Sequence, residues 1–313
     1  MSHSSEIPTS IVGTEASSAI FPPLYETTRT RRRQLWKSSV GLVEDLRSSI
    51  TLRNRTPEAY SAFFQVCLPY RGLFVWHVGH DEVVADANQV LFVAGGESFH
   101  LSQPVIGRYA ELIITPDSEL LAEITRTAPN HLAGHPLFLQ RSRRANLKLQ
   151  GLRSRFLHRA LAAEWDGIAA EELLISVLRE ALQTESGRAL PSARTRRLVR
   201  ATKEFLQAHL ASPIRLRDVA RAVGASPTYL TDVFRRVEGV PLHRYVMQLR
   251  LSRALVELPH ASDLTTLAFN LGFSSHSHFT AAFKRAFDCT PSEFRSSTQP
   301  NGLRRDLRTQ LND

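Results

Sequence analysis

Two short stretches of this chain carry side chains whose types and spacing suit contact with the edges of nucleic-acid bases. In the second stretch, His276, Ser277, Thr280 and Ala281 lie along one face of a helical pattern, and Lys284 and Arg285 follow one turn later. In the first, Thr228, Thr231 and Asp232 precede Arg235 and Arg236 in the same way. Hydroxyls and imidazoles can bond base edges in a major groove. A carboxylate can accept from a cytosine amino group, and an alanine can touch a thymine methyl. Cations one turn further on can reach phosphates. A polar outer face is ordinarily a solvated one, so the weight of the pattern lies in its repetition.

The elements that must position these residues are legible in the apolar spacing. Leu264, Leu267, Ala268 and Leu271 follow i, i+3, i+4, i+7 and predict one helical face, with Asp263 placed to cap it. Gly272 ends that helix and permits a left-handed turn. Ser274 and Ser275 can cap a second helix, which turns Phe279, Phe283 and Phe287 inward. The same order recurs upstream. Ala220 and Gly224 match Ala268 and Gly272 at an offset of 48, and Leu230, Phe234, Arg235 and Arg236 match Phe279, Phe283, Lys284 and Arg285 at an offset of 49. Two helix-turn-helix units are predicted, with recognition helices at about 226–237 and 275–287. Residues 241–257 join them as a helix of about 26 Å. That length suits two heads set near the ~34 Å between successive major-groove openings on one DNA face.

On these residues the chain resembles a known family. LRDVARAVGASPTYLTDVFRRVEG, the joining YVMQLRLSRALVEL, then LAFNLGFSSHSHFTAAFKRAF and TPSEFR resemble the DNA-binding domain of AraC/XylS-type transcription regulators over residues 195 to about 297. The resemblance implies seven helices, two recognition helices in successive major grooves, and activation of transcription through contact with RNA polymerase. By resemblance, Thr228, Thr231, Asp232, His276, Ser277, Thr280 and Ala281 face bases, while Arg235, Arg236, Lys284 and Arg285 hold phosphates. Asp232 is the odd member, repelled by phosphate unless it reads cytosine or pairs with Arg236. One departure is Arg215, which stands where the family often has a Ser or Thr cap. A lost cap costs about 1 kcal/mol, and a cation there opposes the helix dipole unless a DNA phosphate meets it.

Charge distribution agrees with a polyanionic partner. The 313-residue chain has a net charge of +9 and an isoelectric point near 10.1. Residues 194–297 hold 16 Lys or Arg against 8 Asp or Glu, so nearly all the excess sits in the repeat-bearing segment. The length predicts about two domains. Two cysteines, Cys67 and Cys289, supply neither a disulfide framework nor a zinc motif. With no signal pattern and no long apolar run, the chain is read as cytoplasmic.

The first half has a different grain. Residues 1–33 are rich in Ser, Thr and Pro and end in RTRRR, which predicts a disordered tail. Residues 34–185 predict a sensor and dimerisation domain. YSAFFQVCL, LFVWHV, EVVA, QVLFVAGG and YAELIIT read as short strands at about ten-residue spacing, punctuated by turn residues. A mostly β, cupin-like barrel is expected, again by resemblance in pattern, with helices flanking it over 137–184. Phe74, Trp76 and Phe92 are candidates to line an effector pocket, with core packing as the ordinary alternative. His77, His80 and His100 raise a metal reading, but no suitably spaced Glu and further His accompany them, and no metal or other cofactor is expected. Polar residues 186–194 read as a linker, 195–297 as the double helix-turn-helix domain, and 298–313 as a frayed tail. The resulting expectation is an effector-responsive activator and homodimer, not an enzyme. The alternatives are a cupin-type metal enzyme with an attached DNA-binding domain, or a constitutive DNA-binding dimer without effector.

Overall fold

The computed structural model describes residues 19–20, 30–48, 55–127, 141–162, 166–183 and 191–298. The described residues from 19 to 183 build the β-rich half. Its strands are β1 (Ala19–Ile20), β2 (Thr30–Ser38), β3 (Gly41–Ser48), β4 (Ala59–Ser61), β5 (Gln65–Arg71), β6 (Leu73–Val78), β7 (Asp81–Asp86), β8 (Gln89–Val93), β9 (Ser98–Ser102), β10 (Tyr109–Pro116) and β11 (Ser142–Arg144). They form two sheets, in the orders β1-β4-β9-β6-β7 and β11-β8-β5-β10-β3-β2. Both orders are open, so the expected closed barrel is not formed among the described residues.

The alternation along β10 shows how the layers arise. Tyr109 and Ile113 point into an inter-sheet core with Leu46, Phe74, Trp76, Leu91 and Phe99. Ala110, Leu112 and Ile114 point the other way, into a second core. That core is completed by α2 (Leu147–Ala162) and α3 (Gly167–Leu182), through Phe156, Leu157, Leu174 and Val177. A period of two buries both faces of this strand. Phe74, Trp76 and Phe92, considered as pocket lining, are core residues with at most 5% exposure.

Three sequence expectations need correction here. Arg31–Arg33 do not end a disordered tail; they lie in β2, where pairing with β3 satisfies their backbone. Ser142–Arg144, read as part of a helical segment, form β11 against β8. A helix, α1 (Ser118–Thr127), interrupts the region read as all strands. The greater parts of the expected tails (1–33 and 298–313) and linker lie outside the described residues.

The second half is all helix: α4 (Ala193–Ala208), α5 (Leu216–Ala222), α6 (Pro227–Glu238), α7 (Leu242–Glu257), a 3-10 turn (Leu258–His260), α8 (Leu264–Asn270), α9 (His276–Phe287) and α10 (Pro291–Thr298). It holds two cores, one per helix-turn-helix. The first gathers Val219, Ala220, Leu230, Phe234 and Tyr245 and admits Ala87 from the β-rich half. The second gathers Leu267, Ala268, Leu271, Phe279, Phe283 and Phe294.

Candidate nucleic-acid interface

Each recognition helix is set by its ends and its buried stripe. α6 begins on Ser226, whose side chain accepts from the Tyr229 amide, and ends on Gly239 at φ 73°. α9 begins on Ser275, which accepts from the His278 amide, and ends on Asp288 at φ 58°. The turns before them pass through Gly224 and Gly272, both at positive φ. At Gly272 a Cβ would lie 2.7 Å from the Leu210 carbonyl oxygen, so glycine is required on contact as well as conformation. Leu230, Val233 and Phe234 bury one side of α6, as Phe279 and Phe283 do for α9.

The helices that support them differ at their starts. Asp263 caps α8, accepting from the Thr265 and Thr266 amides at 3.2 and 2.6 Å. Hydrogen bonds from Thr266 and then Thr265 hold its carboxyl below the ordinary carboxylate range. Arg215 stands at the same place before α5 and makes no side-chain cap.

The outward faces carry the residues singled out from sequence. Thr228 and Asp232 on α6 and Ser277 and Ala281 on α9 are exposed, and Thr231 and His276 are half-buried. The Thr231 hydroxyl donates to the Thr228 carbonyl at 2.9 Å, which leaves its lone pairs open. Asp232 pairs with Arg236 one turn on, the structural alternative to cytosine. Arg235, Arg236, Lys284 and Arg285 are all exposed. Thr280 departs from the expected pattern. It is half-buried and its hydroxyl is covered, without a hydrogen-bond partner among the described residues. Its side chain turns inward because the i+4 spacing from His276 carries it toward the edge of the phenylalanine stripe.

Two exposed residues of these helices were not singled out. Tyr229, 43% exposed, and His278 occupy equivalent places at the 49-residue offset. His278 shares a 3.1 Å hydrogen bond with Ser274 and packs edge-on against Phe273. The repeat offset that matched the other positions contains the signal for both.

Behind the reading faces, the β-rich half grips the joining helix. Tyr245 donates to Asp86 at 2.7 Å, and Asn88 donates to the Tyr245 carbonyl at 3.1 Å. Arg144 reaches Gln248, Arg153 donates to Ser252 at 2.8 Å, and His158 bonds the Leu255 carbonyl at 2.7 Å. Positions 245, 248, 252 and 255 follow steps of 3, 4 and 3, so one stripe of α7 faces this half. Lys203 pairs with Glu238 at 2.8 Å, with only 4% and 7% of the side chains exposed. Gln89 donates to the same carboxylate at 3.1 Å. Burial raises the Asp86 carboxyl, while Lys203 and the Tyr245 hydroxyl pull it back down.

In the β-rich half, His77 is fixed by Ser102 at 2.7 Å and lies 3.2 Å from Glu82. His100 bonds the Thr56 carbonyl at 2.9 Å, and His80 is exposed. His77 and His100 face each other in register on β6 and β9 but bond different partners, and no group of three or more metal-ligating side chains gathers among the described residues.

A helix-turn-helix domain family model matches residues 219–297. Among curated proteins, the regulatory protein PocR of Salmonella typhimurium is 33% identical over 98 residues, 31% of this chain and 32% of PocR. The Msm operon regulatory protein of Streptococcus mutans is 31% identical over 109 residues, 34% of this chain and 39% of that protein. The chain thus spans roughly a third of the length of these two relatives. The regulatory protein SoxS of Salmonella typhimurium is 34% identical over 99 residues, 31% of this chain and 92% of SoxS. Among solved structures, an AraC-type regulator from Chromobacterium violaceum aligns at 28% identity and TM-score 0.32, covering 34% of this chain and 96% of that one. ToxT of Vibrio cholerae aligns at 11% identity and TM-score 0.33, covering 87% of this chain and 99% of that one. With the paired helix-turn-helix geometry and SoxS matched over nearly its whole length, the chain belongs to the AraC/XylS family of transcription regulators.

Proposed function

We propose that this protein is an effector-responsive, sequence-specific activator that sets α6 and α9 in successive major grooves. Transcription regulation through DNA comes with the family; the base contacts, the effector, the sign of regulation and the dimer are part of this proposal. The observation that carries it is the matched pair of reading faces. Thr228 and Asp232 on α6, and Ser277 and Ala281 on α9, are exposed, and each face is followed by exposed cations. Thr280, with its covered hydroxyl, contributes van der Waals contact in this reading. Two sheets enclosing one core support a cupin-like descent for the first half. DNA, RNA polymerase, a small-molecule effector and a second copy of the chain are the partners, acting in the cytoplasm. No described helix is long and apolar enough to cross a membrane.

The test begins by sequencing the DNA that the protein holds in its native cell, which defines an operator. Binding is then titrated on operator and scrambled DNA at several salt concentrations. Lys284→Ala should weaken both alike and lower the salt slope by about one. His276→Ala and Ser277→Ala should each cost about 1 to 3 kcal/mol on the operator only. An unchanged operator-to-scrambled ratio in both variants would show that α9 does not read bases. Stoichiometric iron, zinc or manganese in the purified protein would favour the metal-enzyme alternative.

A further inference from the structure

The two helices that support the recognition helices differ in charge at matched places. Before and along α5, Arg215, Arg217 and Arg221 are all exposed. At the offset of 48, their places in unit two hold Asp263, Thr265 and Phe269. Residues 213–222 thus carry three arginines and one aspartate, while residues 261–270 carry one aspartate and no Lys or Arg. Asp218 answers Arg221 alone, at 3.9 Å. The first helix of a helix-turn-helix crosses the DNA backbone, where a cation meets a phosphate and a carboxylate is repelled. Asp263 is committed to capping α8 through the Thr265 and Thr266 amides. Unit two therefore lacks, on its own supporting helix, the backbone cations that unit one has.

The β-rich half brings such cations to the same place. Arg31 on β2 pairs in register with Arg47 on β3. Arg47 pairs with Ala110 on β10, and Ala110 pairs with Arg71 at the end of β5. Residues paired directly across antiparallel strands share a sheet face, so these three arginines stand in line. Gly72, at φ 74°, passes so close to the next turn that a Cβ would run into the Arg108 carbonyl, which sets Arg108 beside the end of the row. Arg47 is partly answered by Asp45 at 2.8 Å. Arg31, Arg71 and Arg108 are exposed and make no ion pair among the described residues. Like charges set opposite one another cost a sheet stability, so the row gains from an anion. All four arginines line one cleft with Asp263, Thr266 and Asn270 of unit two. Asp263 in turn lies within electrostatic reach of His276, the first residue of α9.

We propose that the arginine row of the β-rich half is a DNA backbone contact. Arg31, Arg71 and Arg108 hold phosphates beside the half-site that α9 occupies, in place of the cations that α8 lacks. This role rests on the reading of α6 and α9 as recognition helices given above. Guanidinium forks match the oxygens of a phosphate. The contact adds affinity and carries no base specificity of its own. Duplex DNA is favoured over an acidic protein surface because Asp263 ties the cleft to His276, so a duplex seated on α9 runs past the row.

The test titrates the full-length protein on operator and scrambled duplexes at several salt concentrations. Arg71→Gln/Arg108→Gln should lower the salt slope by about two on both duplexes and leave the operator-to-scrambled ratio unchanged. Lys37→Gln, an exposed change at the other end of β2 from Arg31, should leave the slope at the parent's value. Operators carrying one neutral methylphosphonate at a time then locate the contact. At least one phosphate in or beside the α9 half-site should weaken the parent about tenfold when neutralised and leave the double variant unaffected. The two glutamines relieve like-charge crowding, so the unfolding temperature should be no lower than the parent's. If the double variant does not fold, Arg108→Gln alone should lower the slope by about one. The proposal is overturned if a folded variant keeps the parent slope, if Lys37→Gln lowers it equally, or if no methylphosphonate separates parent from variant. A changed oligomeric state with an unchanged slope would assign the row to a protein partner and overturn the proposal too. If the parent shows no preference for operator DNA, the regulator reading fails, and the slope on scrambled DNA still decides the row.

Discussion

The two helix-turn-helix units repeat one chain pattern, yet their recognition helices meet the rest of the molecule through opposite chemistry. α6 ends on Glu238, buried between Lys203 and Gln89. α9 ends on Phe287, whose ring lies 3.6 Å from the place a Cβ would take on Gly151 of α2. The first contact is a desolvated ion pair with a further hydrogen bond, and it holds in a single geometry. The second is an aromatic face on a bare backbone, part of a ladder in which Phe283 packs against Phe279, Phe287 and Phe294 at centroid distances of 5.8, 4.7 and 5.7 Å. Dispersion contacts of this kind tolerate small slides. On this chemistry, unit one is expected to be the more fixed head and unit two the more adjustable one.

Breaking the fixed contact should have the largest effect. Lys203→Ala leaves Glu238 buried without its cation and should cost about 3 to 5 kcal/mol in urea unfolding. Phe287→Ala removes a half-buried ring and should cost less, about 2 kcal/mol. Equal losses would mean that the two attachments do not differ in kind. Arg215→Ser supplies the cap that α5 lacks and should stabilise by about 1 kcal/mol. The same variant should lower the salt slope of DNA binding by about one if Arg215 meets a phosphate. The smallest effect is expected at the helix ends. Asp288→Gly relieves a left-handed residue and should gain about 0.5 kcal/mol, whereas Gly239→Asp should lose a similar amount. Circular dichroism melts of the pair would read both signs.

The repeat was legible in the sequence because its signals are local. Leu264, Leu267 and Leu271 share a helical period, and Asp263 and Gly272 mark its ends. The pairing of Asp232 with Arg236 follows from i, i+4 spacing alone. The orientation of Thr280 did not follow, because it sits at the margin of the apolar stripe, where a few degrees of helix rotation decide exposure. Lys203 and Glu238 carry no local sign of burial, since nothing near either in sequence announces Gln89 or Asp86. The open sheets also had no local signature, because closure depends on which edges meet.

The helix α7 joins the two heads over 16 residues, about 24 Å of rise. The stripe through Tyr245, Gln248, Ser252 and Leu255 that meets the β-rich half belongs to this same rod. The protein's ruler is thus also its handle. One residue inserted in α7 would turn everything beyond it by about 100°, swinging the second helix-turn-helix out of line with the first while tearing half the stripe from its partners. Such a chain can therefore be retuned through its side chains, but lengthening this helix would reset the spacing of its two helix-turn-helix units only if the β-rich half were refitted at the same time.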